Sequence, residues 1–280
     1  GFSDYLAVPT SIFAGGPGEG TYVAMMEGIS NSPTTTLKIT VKTYSGDSWV
    51  NVGTPRFGDG YAMYPSLVVY NYTPYVAYED TGFIKVKMFN GTNWVDVGSS
   101  PIKGGSQPVL VADDTLYLAF RDSVLGDMVT VMKYNFSNSA WETVGQPGIS
   151  AGSVFRPDLA VVGGIPYVAY RDDGLGGTAV VKKFNGSQWV DVGAPGVKVN
   201  QVSLSASGNK IFIFFGDSNN GTKATAMEFI GAPVIYYGNG NTGGNPPGTV
   251  NYQPGETVTV SDNTGYLTKT GHSFDGWNTQ

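Results

Sequence analysis

Aspartates recur behind one short motif, and they are the residues in this sequence best suited to contact a polar ligand. In four copies of this motif the last residue is an aspartate, namely Asp80, Asp122, Asp172 and Asp217. Carboxylates and arginines hydrogen-bond sugar hydroxyls or acidic sugars, and aromatic rings offer sugars an apolar face. The same aspartates could instead cap turns through backbone N–H groups, and Arg121-Asp122 and Arg171-Asp172 could pair between neighbouring units. Both interpretations stay open at this point.

The composition removes several kinds of chemistry. The 280 residues include no cysteine and a single histidine, His272, which excludes thiolate nucleophiles, a histidine metal cluster and a Ser-His-Asp triad in the main domain. Sixteen Lys+Arg against 22 Asp+Glu give a net charge of −6 with no basic stripe, so we expect no nucleic-acid partner. No apolar run approaches the roughly 20 residues that span a bilayer, so we expect no membrane insertion. No cofactor and no metal site are expected.

Two motifs recur with a period of about 47 residues. Trp-x-x-Val-Gly occurs at Trp49, Trp94, Trp141 and Trp189. A second motif precedes each of these as Tyr22-Val-Ala, Tyr75-Val-Ala, Tyr117-Leu-Ala and Tyr167-Val-Ala, and a looser copy is Phe212-Ile-Phe. Short strands repeated at this period are typical of propeller blades. The sequence therefore predicts an all-β fold, a five-bladed β-propeller with four-stranded blades over residues 1–232.

The fifth copy lacks a Trp strand, and the sequence departs from the repeat at Ile230-Gly231-Ala232-Pro233. Tyr5-Leu-Ala-Val8, followed by Pro9, could supply the missing strand. We therefore expect residues 5–8 to complete the last blade and close the ring, which would hide two free sheet edges.

In a propeller, the loops after the second strands and before the inner strands share one face, around the central funnel. This places the candidate ligand-binding residues, which carry charged, amide and aromatic side chains. They are Arg56, Tyr64, Gln107, Asp122, Phe155, Arg156, Arg171 and Asp172. No catalytic residue is predicted, because hydrolysis needs two carboxylates in unlike environments and a repeat supplies similar ones. Asp217-Ser-Asn-Asn-Gly-Thr222 begins like a calcium loop but lacks the later bidentate glutamate, and it is predicted to be a turn.

The sequence changes character in the last part of the chain. Residues 234–280 contain Tyr237-Gly-Asn-Gly, then Gly255-Glu-Thr-Val-Thr-Val260, then Leu267-Thr-Lys-Thr-Gly and Phe274-Asp-Gly-Trp277-Asn. This segment resembles the internalin-type B-repeat, also called the Listeria-Bacteroides repeat, in truncated form. The resemblance implies a second domain at 233–280, a small β-grasp-like module of secreted or wall-attached bacterial proteins that serves as a spacer or a protein-contact unit. Phe274 and Trp277 would be core residues of this module, and His272 a turn residue.

These observations favour a non-catalytic recognition or adhesion module of a bacterial surface protein, with a propeller head and a B-repeat stalk. The expected partner is a glycan or a surface protein, the expected location is extracellular or on the cell surface, and the chain is expected to be a monomer. The alternatives are a glycosidase with carboxylates in the central funnel and a purely structural spacer.

Overall fold

The computed structural model describes residues 3, 7–16, 18–30, 36–98, 101–193, 196–208, 210–229, 232–248, 250–252 and 259–277. These residues form an all-β structure whose helical segments are three short 3₁₀ turns. No helix in these ranges is long and apolar enough to cross a membrane. The chain divides into two compact units, Gly1–Met227 and Glu228–Gln280.

Five antiparallel sheets make up the described part of the first unit, and each follows the order of the chain. The first contains β1 (Ala7–Ala14), β2 (Thr21–Gly28), β3 (Leu37–Ser45) and β4 (Ser48–Asn51). The second contains β5 (Ala62–Tyr70), β6 (Thr73–Asp80), β7 (Phe83–Phe89) and β8 (Trp94–Asp96), with β9 (Ile102–Lys103) also paired to β7. The inner strands β1 and β5 are in contact, so neighbouring sheets pack face to face.

The remaining three sheets repeat this plan. The third contains β10 (Gly105–Ala112), β11 (Leu116–Asp122), β12 (Met128–Asn135) and β13 (Ala140–Thr143). The fourth contains β14 (Val154–Val162), β15 (Ile165–Asp172), β16 (Thr178–Phe184) and β17 (Trp189–Gly193). The fifth contains β18 (Val202–Ser207), β19 (Lys210–Asp217) and β20 (Lys223–Phe229). Because β10, β14 and β18 each contact the preceding inner strand, the fold is propeller-like.

The second strand of each of the first four sheets is apolar on both faces, as a strand packed between two neighbouring sheets must be. Val76, Ala77 and Tyr78 of β6 are all fully buried. Ala77 packs with Leu118 and Phe120 of the next sheet. The small residue at this position lets adjacent sheets approach closely, and its copies Ala24, Ala119 and Ala169 are also fully buried.

The Trp-x-x-Val-Gly motif joins one sheet to the next. The indole N–H of Trp94 donates to the carbonyl oxygen of Val52 at 2.8 Å. The same bond links Trp141 to Val97 at 3.1 Å and Trp189 to Val144 at 2.7 Å. The glycine after each valine has a positive φ and leaves room for aromatic rings of the next sheet. A Cβ on Gly145 would lie 2.8 Å from the Phe184 ring and 3.4 Å from the Trp189 ring. The tryptophan of each of these three repeats is therefore hydrogen-bonded to the sheet before it.

The predicted role of the N-terminal strand is wrong for the residues that the structure describes. Ala7 and Val8 belong to β1, the inner strand of the first sheet, where they pair with Glu27 and Met26. Pro9 does not end the strand because the register shifts between Pro9 and Ser11, and such a bulge lets the ladder continue to Ala14. Tyr5 and Leu6 lie outside the described residues.

The first and fifth sheets leave apolar side chains open to solvent. Ile12 of β1 is 70% exposed and Phe214 of β19 is 44% exposed. Phe214 stands where the other copies carry the small alanine, so the fifth sheet departs from the repeat at the position that controls close packing.

The second unit contains the short antiparallel pair β21 (Ala232–Val234) and β22 (Val250–Tyr252). Trp277 packs edge-on against Tyr236 and Phe274, with ring centroids 4.8 and 5.1 Å apart, and its indole N–H donates to the carbonyl of Ser261. Trp277 is half-buried and Phe274 is exposed. The His272 N–H donates to the carbonyl of Lys269 in a turn. Residues 255–258 of the predicted Gly-Glu-Thr-Val-Thr-Val strand lie outside the described residues.

Candidate functional site

The inner strands of the second, third and fourth sheets share an irregularity that projects a different residue in each. Tyr64, Gln107 and Arg156 have positive φ values of 50°, 52° and 46°. Each is followed by a proline, and the strand register shifts at the same place. Proline cannot donate to the ladder, so it is tolerated in a strand where a bulge has interrupted pairing. Non-glycine residues held in this backbone region are frequent at functional sites.

These three residues line a cavity of about 610 Å³ to which the inner strands of all five sheets contribute. The polar side chains around it come from Ser11, Tyr64, Ser66, Gln107, Arg156, Asp158, Gln201 and Ser203. A cavity of this size, with a few convergent polar groups, is typical of a small-molecule site.

Arg156 is the centre of a hydrogen-bond network in this cavity. Its backbone N–H donates to Oε1 of Gln107 at 2.8 Å, and its Nη1 donates to Oε1 of Gln201 at 3.0 Å. Its guanidinium carbon also lies 5.4 Å from the ring centroid of Phe155. The bond to Gln107 fixes the backbone of Arg156, and the bond to Gln201 orients its guanidinium. Because arginine carries five N–H donors, the guanidinium keeps donors that can bind a hydroxyl or a carboxylate.

Asp158 is the carboxylate of the cavity wall, and its Oδ2 binds the next sheet. Oδ2 accepts from the Leu204 N–H at 2.8 Å and the Ser203 hydroxyl at 3.0 Å, while Oδ1 accepts from the Leu159 N–H at 2.9 Å. Burial raises the pKa of the Asp158 carboxyl, and these three hydrogen bonds partly offset that rise.

The same link between neighbouring sheets is made by serine elsewhere in the first unit. The Ser11 hydroxyl accepts from the Leu67 N–H, and the Ser66 hydroxyl accepts from the Leu110 N–H, each at 2.9 Å. Asp158 therefore has a structural duty in addition to its place in the cavity wall.

Glu79 lies next to the strand irregularity, paired across the sheet with Met63. Burial raises the pKa of the Glu79 carboxyl, and the Gln107 backbone N–H and the Arg121 charge lower it in part. Neither Glu79 nor Asp158 is among the site residues predicted from the sequence. A usable signal existed for Glu79, because it stands where the next two copies carry Arg121 and Arg171. Asp158 follows Arg156-Pro157 directly.

The structure places the repeated aspartates in turns. Asp122 is buried and accepts from the Val124 N–H at 3.1 Å and the Thr130 hydroxyl at 3.0 Å. Asp172 is buried and accepts from the N–H groups of Gly174 and Ala151 at 2.9 and 2.8 Å. Neither residue lines the cavity. The capping interpretation explains their repetition.

Asp217 acts in the same way in the fifth sheet. It caps the 3₁₀ turn Ser218–Asn220, and its side chain accepts from the Asn219 N–H at 2.9 Å. The Asp217–Thr222 segment is therefore a turn, as its sequence predicts.

The predicted pairing of arginines between blades is wrong. Arg121 Nη2 lies 2.6 Å from Asp127 Oδ2, and Arg171 Nη2 lies 2.8 Å from Asp173 Oδ1, each within one sheet and its loops. The loops after β11 and β15 fold back and bring these acids to the arginines of the same strands. Of the eight predicted site residues, Tyr64, Gln107 and Arg156 line the cavity, whereas Arg56, Asp122, Phe155, Arg171 and Asp172 do not.

No family model matches this chain, and no curated protein matches it. Among solved structures, the chain is similar to the Trypanosoma rangeli sialidase in complex with sialic acid, with a TM-score of 0.53 and 14% identity over 79% of this chain and 44% of the sialidase. It spans less than half the length of that enzyme.

A weaker likeness is to the GH43_1 enzyme from Xanthomonas citri complexed with xylose, with a TM-score of 0.45 and 14% identity over 89% of this chain and 90% of that one. At 14% identity, the sialidase likeness supports the propeller-like all-β fold and says nothing more.

Proposed function

We propose that the first unit is a five-bladed propeller that binds carbohydrate, without catalysis, in the cavity between its inner strands. The observation that carries the proposal is Arg156, whose backbone N–H donates to Gln107 and whose guanidinium donates to Gln201, in a cavity that Tyr64 also lines. Amide and guanidinium groups satisfy sugar hydroxyls, and the tyrosine ring offers an apolar face.

The single carboxylate that lines the cavity favours binding over hydrolysis. Glycosidases use two carboxyl groups about 5 to 9.5 Å apart. Asp158 is the one acidic residue among the described residues that line the cavity. Its oxygens accept three hydrogen bonds, and the two from Ser203 and Leu204 join the fourth sheet to the fifth. A carboxylate with this structural duty is a poor nucleophile or general base.

Glycoside hydrolysis is the second candidate, and one observation favours it. Burial raises the pKa of both Glu79 and Asp158, in unlike surroundings, and a raised pKa is what a general acid requires. The sialidase that this chain resembles is itself a carbohydrate-active enzyme.

A glycan array followed by isothermal titration of the best ligand tests the binding proposal. Replacing Arg156 by alanine should weaken binding at least about tenfold, because one or more charge-assisted hydrogen bonds are lost. Arg121→Ala is the matched control, since Arg121 pairs with Asp127 and does not line the cavity. Equal affinities of the wild type and Arg156→Ala would refute the proposal.

A panel of chromogenic glycosides separates the two candidates. Turnover that is abolished in both Glu79→Gln and Asp158→Asn, with folding retained, would replace the binding proposal by hydrolysis. Binding without turnover supports recognition.

We also propose that the second unit is a truncated internalin-type B-repeat with a β-grasp-like fold, which carries the propeller as an adhesion head on a secreted or surface-attached bacterial protein. The motif resemblance at 234–280 supports this, together with the packing of Trp277 against Tyr236 and Phe274.

A further inference from the structure

A second cavity lies away from the inner strands, between the sheets β1–β4 and β5–β9. We call it the first inter-sheet cleft. Its volume is about 610 Å³, and its walls include Tyr22, Thr43, Asn51, Tyr72, Thr73 and Phe89. The size falls within the range of about 300 to 1,000 Å³ usual for small-molecule sites. None of the described residues that line it carries a charge.

Tyr72 is held at the cleft in a backbone conformation that favours glycine. Asn71 and Tyr72 form the two-residue hairpin between β5 and β6, with φ values of 48° and 60°. Such turns favour Asn-Gly, because the second residue also needs a positive φ. The matching hairpin between β14 and β15 is Gly163-Gly164. The Tyr72 side chain is 73% exposed, so core packing does not explain why a tyrosine occupies this strained position.

The corresponding cleft between the second and third sheets is filled by the protein itself. Phe136, in the hairpin after β12, stacks on Tyr70 with centroids 5.6 Å apart and packs edge-on against Tyr134 at 4.8 Å. The hairpin after β7 has Asn90-Gly91 in place of Asn135-Phe136. A Cβ added to Gly91 would meet no heavy atom within 4 Å. The first inter-sheet cleft therefore stays open where its neighbour is closed by an aromatic ring.

The cleft between the third and fourth sheets is bridged by hydrogen bonds. The Gly164 N–H donates to Asp113 Oδ2 at 2.9 Å, and the Tyr117 hydroxyl donates to the Gly164 carbonyl at 3.4 Å. An aromatic side chain thus occupies the cleft between the second and third sheets, and hydrogen bonds bridge the cleft between the third and fourth.

We propose that the first inter-sheet cleft is a second ligand site, which binds a neutral sugar ring and is independent of the cavity around Arg156. A sugar ring has an apolar C–H face that packs on aromatic rings, here Tyr72 with Tyr22 or Phe89. The exposed carboxamide of Asn51 can donate to and accept from sugar hydroxyls. The Asn90 oxygen accepts from the N–H groups of Thr92 and Asn93, so Asn90 offers a sugar its NH₂ donors. The uncharged lining gives an acidic sugar no counter-charge, so the site selects a neutral ligand.

The test is a titration of the assigned, ¹⁵N-labelled full chain with the methyl glycosides of glucose, galactose, mannose and N-acetylglucosamine. We expect at least one of them to shift the amide signals of Gly53 and Gly91, which line the cleft. Tyr72→Gly should weaken that binding by about tenfold or more, as expected for loss of a stacking contact of ordinary strength. The fold should survive, because glycine suits the local φ of 60°.

Tyr266→Gly is the matched control. Tyr266 is also left-handed, with φ 52°, and is 82% exposed, but it belongs to the second unit and does not line the cleft. Its replacement should leave the affinity unchanged.

Three results would overturn the proposal: no shift with any of the four sugars, unchanged affinity in Tyr72→Gly, or shifts confined to Gln107 and Arg156. The last result would leave the function proposed for the central cavity intact, so failure of one site is distinguishable from failure of the other.

Discussion

Gly145 offers the sharpest test of how adjacent sheets are held together. It ends the third Trp-x-x-Val-Gly motif with φ 69°, and a Cβ at this position would lie 2.8 Å from Cε2 of Phe184 and 3.4 Å from Cδ1 of Trp189. An L-residue in this backbone region costs about 1–2 kcal/mol. Overpacking against the two rings adds about 1–3 kcal/mol. Gly145→Ala should therefore lower the free energy of unfolding by about 2–5 kcal/mol.

Gly46→Ala isolates the backbone contribution. Gly46 has a similar φ of 62°, and a Cβ there would meet nothing within 4 Å. Its replacement should cost only the conformational penalty of about 1–2 kcal/mol. The difference between the two variants, about 1–3 kcal/mol, then measures the contact between sheets. In a domain of this size it corresponds to a melting temperature lower by roughly 2–12 °C in Gly145→Ala.

Urea unfolding of the full chain, followed by tryptophan fluorescence, measures both variants, and a double-mutant cycle with Trp189→Phe extends the test. That change removes the indole N–H that bonds Val144, and costs about 1–3 kcal/mol because a buried carbonyl loses its partner. Since Gly145 and Trp189 share one contact, the double variant should lose less free energy of unfolding than the sum of the losses in the two single variants. Equal costs for Gly145→Ala and Gly46→Ala would refute the idea that glycine is required for the approach of the rings.

Two further predictions concern carboxylates, the half-buried Asp158 and the buried Asp172. Burial raises the pKa of Asp158, so its ionisation destabilises the folded chain as pH rises from about 3.9, its usual value, through the folded pKa. Melting curves across pH should show Asp158→Asn gaining stability relative to the wild type as pH rises, and a gap independent of pH would contradict this. Asp172→Asn should cost about 1–3 kcal/mol in urea unfolding, because the N–H groups of Gly174 and Ala151 lose a charged acceptor that is itself buried. Asp191→Asn, which removes only an exposed partner of Lys182, should cost less than about 1 kcal/mol, and an equal loss in both variants would disprove the capping role.

The sheets of the first unit could be predicted because each copy repeats the same solution to one packing problem. A strand packed between two neighbouring sheets must be apolar on both faces, and the consecutive apolar residues of Tyr-Val-Ala-Tyr fit this requirement. Val76, Ala77 and Tyr78 are buried accordingly. The site is harder to predict, because the pattern of apolar and polar residues along a strand indicates which side chains are buried. It does not indicate that a residue before proline will have a positive φ. Tyr64, Gln107 and Arg156 owe their common direction to that local irregularity.

The N-terminal strand shows a second limit of sequence reasoning. An isolated strand of suitable length can pair with either of two sheet edges, and its side-chain pattern is the same in both. Val8-Pro9 suggested that a strand ends there. The bulge between Pro9 and Ser11 instead absorbs the proline and carries the strand on to Ala14. A choice between edges depends on contacts distant in sequence, which a local pattern does not contain.

Repetition itself separates structural from functional residues in this chain. Asp122 and Asp172 recur because each sheet needs the same turn cap, and both are buried and used in that way. A ligand, by contrast, is not repeated from sheet to sheet, so the residues that bind it should share a backbone position and differ in type. Gln107 and Arg156 meet this criterion in the central cavity, and Tyr72 meets it at a hairpin where another sheet has glycine. In a fold built from repeats, candidate ligand-binding residues are therefore those at backbone positions that are equivalent in successive sheets but carry different residue types.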